Sequence, residues 1–88
     1  MSTKTNKNLI DIISPEQCRA ARGFLNWSQE ELAEKVRVGK TAIGDFEREK
    51  TIPYKKTLED IKKAFEDAGI ELVNGGNGQS VKLLDGKK

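Results

Sequence analysis

The residues with chemistry to offer sit close together. Positions 37 to 56 hold Arg37, Lys40, Arg48, Lys50, Lys55 and Lys56 against Asp45, Glu47 and Glu49, a local charge of +3. The whole chain of 88 residues carries only +2, so the remaining 68 sum to −1. A basic segment on a near-neutral body reads as a footprint for a polyanion or as a solvated basic face. Within it, Lys40, Thr41, Gly44, Asp45 and Arg48 recur at the spacing of one helix face. Other chemistries lack their reagents. There is no histidine, which removes histidine-based general-base or triad catalysis, and Cys18 is the single cysteine. One cysteine makes no intramolecular disulfide and argues against a structural zinc site. No metal, no cofactor and no enzymatic activity are expected.

Those residues need elements to hold them. Ser14-Pro15-Glu16-Gln17 supplies an N-cap serine, a proline at the first helical position and a glutamine at the third. It predicts helix 1 from about Pro15 to about Phe24, with Cys18, Ala21 and Leu25 as its buried stripe. Ser28-Gln29-Glu30-Glu31 is a capping box for helix 2, with Trp27 before it and Leu32 after it placed for a hydrophobic staple. Helix 2 turns Leu32, Ala33 and Val36 inward and stops near Arg37. Helix 3 is expected from about Lys40 to about Glu49, with Ala42, Ile43 and Phe46 inward. Two short helices joined by so tight a turn form a helix-turn-helix pattern.

Beyond Pro53, Leu58, Ile61, Phe65 and Ala68 form the stripe of helix 4, and Gly69 stands where a left-handed cap belongs. The period then changes. Residues 70–73 and 80–84 flank a glycine-rich loop and read as a β-hairpin, which is marginal alone and must pack on the helices or on another copy. The expected organisation is a frayed tail at 1–8, a helical domain at 9–69, the hairpin at 70–84 and a tail at 85–88. The run Leu9–Ile13 is too short to assign by period. No apolar run approaches a membrane span, and the N-terminus lacks a signal-peptide core, which points to a cytoplasmic protein.

From Ser28 to Pro53, SQEELAEKVRVGKTAIGDFEREKTIP resembles the Cro/repressor-type helix-turn-helix family, also called xenobiotic-response-element-like. Ser28-Gln29, Leu32-Ala33, Val38, Ile43, Glu47-Arg48 and Pro53 carry the resemblance, which extends over about residues 14–69. It implies a mainly α fold, a four-helix Cro/repressor-like helix-turn-helix domain, here with the C-terminal β-hairpin in place of a fifth helix. It also implies helix 3 in the major groove of double-stranded DNA and helix 2 across the backbone. By position, Lys40, Thr41, Gly44 and Asp45 would face base edges. Gln29, Arg48, Lys50, Lys55 and Lys56 would lie at phosphates, and Arg22 would pair structurally with Glu47. The chemistry agrees: lysine donates to guanine, aspartate accepts from cytosine and the threonine methyl touches thymine. Three positions depart from the pattern. Arg37 and Glu49 stand where the family has glycine, and Gly39 where it has serine or threonine.

These readings lead to a sequence-specific DNA-binding transcriptional regulator, acting as a homodimer through the hairpin or Leu9–Ile13. On DNA it would sit at the nucleoid. The alternative is a protein-interaction module, such as the antitoxin of a toxin–antitoxin pair, whose hairpin docks a protein partner.

Overall fold

The computed structural model describes residues 12–75 and 78–84. The tails expected at 1–8 and 85–88, and residues 9–11, lie outside the described residues. Among the described residues four helices precede a hairpin: α1 (Pro15–Leu25), α2 (Gln29–Val36), α3 (Lys40–Glu47), α4 (Lys55–Asp67), β1 (Ile70–Gly75) and β2 (Gly78–Leu83).

The first two helices start on reciprocal capping boxes. Ser14 Oγ accepts from the Gln17 amide at 3.1 Å while Gln17 Oε1 accepts from the Ser14 amide at 3.0 Å. Ser28 and Glu31 repeat the arrangement at 3.0 and 2.7 Å. Each box satisfies two amides that the helix itself leaves unbonded.

The first three helices also stop alike. Asn26, Arg37 and Glu49 each adopt a left-handed conformation, with φ of 63°, 63° and 65°. The next amide reaches back to a carbonyl in the last turn: Trp27 to Arg22 at 2.9 Å, Val38 to Ala33 at 3.0 Å, Lys50 to Asp45 at 2.8 Å. This is the Schellman closure, which favours glycine. A left-handed arginine or glutamate costs about 1 kcal/mol or more. The turn at Glu49 is also why α3 is two residues shorter than its pattern suggested. Gly69, with φ 99°, occupies the corresponding place after α4.

The core joins Cys18 and Ala21 of α1, Leu32, Ala33 and Val36 of α2, Ile43 and Phe46 of α3, and Leu58, Ile61 and Phe65 of α4. Ile13 and Ile70 complete it, and Trp27 stacks on Phe65 with ring centroids 5.6 Å apart. Ala42, expected inward, is exposed. In α3 the buried positions are Ile43, Gly44, Phe46 and Glu47, and Ala42 falls off that arc.

The hairpin is antiparallel, with Ile70 opposite Leu83 and Leu72 opposite Val81. It packs on α1 and α4. Ile70 is buried, while Leu72 and Val81 lie against the core. Gln17, already half of a capping box, also donates from Nε2 to the carbonyls of Val73 at 3.3 Å and Ser80 at 3.2 Å. One buried glutamine therefore starts α1 and holds both strands to it.

Candidate functional site

Glu47 organises the region that carries the basic cluster. It lies on the last turn of α3 and is 3% exposed. Arg22 Nε and Nη2 donate to its two oxygens at 2.7 Å each, a bidentate fork. Gln29 Nε2 donates to Oε1 at 3.0 Å and the Cys18 thiol donates to Oε2 at 3.1 Å. Arg19 Nη1 donates to the Glu47 carbonyl, and Arg22 Nη1 to the Trp27 carbonyl at 2.9 Å. α3 is thus tied to α1 and to the start of α2 through one carboxylate. Burial alone would raise the Glu47 pKa. The bonds from Arg22, Gln29 and Cys18 outweigh it and hold the carboxyl below its ordinary range. Burial, then Glu47 itself, pushes the Cys18 thiol up, while the bond to Glu47 raises Arg22. The Arg22–Glu47 pair expected from the resemblance is present, with the carboxylate buried and the arginine side chain 19% exposed. Cys18, Arg19 and Gln29 were not legible as its partners, because no local spacing links them to residue 47.

The outer face of α3 is arranged differently from its sequence reading. Lys40 and Thr41 are exposed, and neither side chain has a hydrogen-bond or ion-pair partner among the described residues. Gly44 is buried, not open: a Cβ there would lie 3.3 Å from Arg48 Nη1 and 3.4 Å from Gln29 Oε1. The two long side chains close over it. Asp45 Oδ1 accepts from Arg48 Nη2 at 2.8 Å, with the arginine side chain 60% and the aspartate 26% exposed. Gln29, expected at a phosphate, gives one of its two amide N–H donors to Glu47.

Lys50, Lys55 and Lys56 are exposed around the loop that joins α3 to α4, and Lys56 Nζ lies 3.3 Å from Asp60. Both helices in this region begin without a side-chain cap, α3 from Gly39 and α4 from Tyr54. Neither carries an acidic residue in its first turn, whereas α1 has Glu16 and α2 has Glu30 and Glu31. Uncapped amides and lysines at a helix start are unfavourable neighbours for the helix dipole until an anion joins them. Among the described residues no group of histidine, cysteine or carboxylate side chains could hold a metal ion, and no helix is long and apolar enough to cross a membrane.

Comparison with protein families matches residues 19–66, more than half of the chain, to a helix-turn-helix family. No curated protein matches the chain. The matched segment runs from α1 to the last turn of α4 and contains the whole Glu47 network except Cys18. The chain belongs to the Cro/repressor-type helix-turn-helix family, a family of DNA-binding domains.

Proposed function

We propose that the chain is a sequence-specific regulator of transcription that binds duplex DNA with α3 in the major groove. The observation that carries this reading is the pair of uncapped, basic helix starts, Lys40 on α3 and Lys55 and Lys56 on α4. Each offers backbone amides to a phosphate oxygen, α4 adds the charges of two lysines, and each lacks the acidic first turn that would repel an anion. Affinity comes mainly from Lys50, Lys55, Lys56 and Arg48, and base choice from the exposed side chains of α3. Lys40 and Thr41 stand free for base edges. Asp45 contacts a base only by releasing or sharing Arg48. Gly44 acts by letting Arg48 and Gln29 lie flat on α3, rather than as a contact of its own. Gln29 serves first to fix α2 to α3 with one amide N–H, and keeps the second for a phosphate.

The network around Glu47 supports this role, since a recognition helix of eight residues has little of its own to hold its angle. Two copies on half-sites about 34–36 Å apart would supply the contacts that one small domain lacks. Selection of sites from random duplex DNA at two salt concentrations tests the reading. The expected result is one enriched palindromic site, with log K falling by about 0.9 per neutralised phosphate for each unit of log salt. Salt-dependent binding with no enriched sequence would remove the sequence-specific role.

A further inference from the structure

Arg48 caps the end of α3, and its side chain runs back along the helix. The carboxylate of Asp45, one turn earlier, accepts from Nη2 at 2.8 Å. A Cβ at Gly44 would lie 3.3 Å from Nη1 and 3.6 Å from Nη2, so both tips of the guanidinium fork rest against the bare glycine. Gln29 Oε1, 3.4 Å from the same point, flanks the seat from α2. The fork is therefore seated and pinned on the outer face of α3, one turn on from the exposed Thr41.

Both supports work against something. Glycine is a poor residue for the interior of a helix, and a carboxylate on a DNA-facing helix repels phosphates. A phosphate contact needs neither of them. A flexible arginine reaches a phosphate oxygen without a seat, and Asp45 would set its negative charge beside that anion. A fixed planar fork supplies geometry instead. Paired bonds to O6 and N7 of a guanine require the guanidinium to be held in one plane. Asp45 takes one donor of the fork, and the others have no partner among the described residues.

Exposure decides which member of the pair meets a base. The arginine side chain is 60% exposed and the aspartate 26%. A direct contact with the cytosine amino group needs an open carboxylate oxygen, and this carboxylate is largely covered by what it holds.

We propose that Arg48 reads a guanine in the major groove, that Asp45 is its positioning residue, and that Gly44 is the seat on which it lies. The proposal rests on the placement of α3 in the groove and deepens it, by naming one base and the residue that chooses it. Arg48 still adds to affinity through its charge.

Site selection from random duplex DNA, run for the wild type and three variants with circular dichroism to follow folding, tests it. The wild-type site is expected to contain a guanine whose preference Arg48→Lys reduces about tenfold, by loss of the fork. The other positions and the salt slope should stand, because the charge is kept. Asp45→Ala should relax that same position and no other. Gly44→Ala keeps both charges and favours the helix, but its methyl crowds the seat. Preference for that guanine should weaken while thermal stability does not fall, a combination that a purely structural role does not give. An enriched site that Arg48→Lys leaves unchanged would overturn the proposal and leave the DNA reading intact. So would an Asp45→Ala effect at a different base pair, since Asp45 would then be a reader itself. No enriched site for the wild type would remove the sequence-specific reading, and this proposal with it.

Discussion

α1 and α2 begin on serines that bond the third helical amide, with a glutamine or glutamate returning the bond and acidic residues in the first turn. α3 and α4 begin on Gly39 and Tyr54, with no such bond, no acid and lysines at the opening positions. The first pair is finished within the protein. The second is left open towards solvent, at a cost the helix dipole makes real, on the side where the basic cluster lies. α3 keeps its place by other means, through a buried carboxylate near its end instead of a cap at its start. The difference separates helix starts closed within the protein from helix starts presented to solvent.

The largest effect that can sharpen this contrast lies at Glu47. Glu47→Ala removes a buried carboxylate from the partly exposed Arg22 guanidinium and should destabilise the fold by about 3 kcal/mol in urea unfolding, the low end for a buried pair. A loss below about 1 kcal/mol, the range of an exposed pair, would mean that α3 is held otherwise. The same carboxylate sets an acid limb. Its folded pKa lies below its unfolded one. Its stabilisation is therefore complete above the ordinary glutamate value of about 4.3 and is lost as pH falls from there through the folded value. Glu47→Gln should flatten the stability profile in that window and leave the neutral plateau lowered.

Next come the caps. Ser14→Ala and Ser28→Ala should each cost about 0.5–2 kcal/mol, measured the same way. At the other end of α3, Glu49→Gly relieves a left-handed side chain and should gain about 1 kcal/mol. If it gains nothing, Glu49 makes a compensating contact. The smallest effect on stability tests the start of α4. Tyr54→Asp supplies the missing cap and should stabilise the free protein by about 1 kcal/mol or less. The same change sets a carboxylate where a phosphate is proposed, so duplex affinity should fall while thermal stability rises. Affinity unchanged by Tyr54→Asp would close the start of α4 as a phosphate site.

Reading from sequence worked best where one interaction is written in consecutive residues. Ser14-Pro15-Glu16-Gln17 and Ser28-Gln29-Glu30-Glu31 contain both halves of their boxes, so the starts of α1 and α2 are legible in the sequence alone. The Arg22–Glu47 pair came from the family resemblance, since 25 residues separate its members. α3 was harder because eight residues give barely two turns of pattern. Ala42 looked apolar enough to be inward, and Gly44 looked open because glycine has no side chain to reveal what covers it. Its cover comes from Gln29 and Arg48, one of them on another helix. Gln17 hid a second role behind a sufficient first one. The hairpin was legible as a hairpin, but its attachment to α1 depends on two backbone carbonyls that no residue type announces.

The central claim is that the open helix starts are phosphate sites, and α4 carries its own control. Lys55 and Lys56 lie at its start, Lys62 and Lys63 further along it, all on one helix. Duplex affinity should be measured across salt for the double change Lys55→Gln with Lys56→Gln, and for Lys62→Gln with Lys63→Gln. Both remove the same charge. The account predicts that the first pair lowers the slope of log K against log salt by about 1.8, from about 0.9 per phosphate contact, and that the second leaves it unchanged. Equal losses from the two pairs would mean that binding follows net charge alone, and would contradict it.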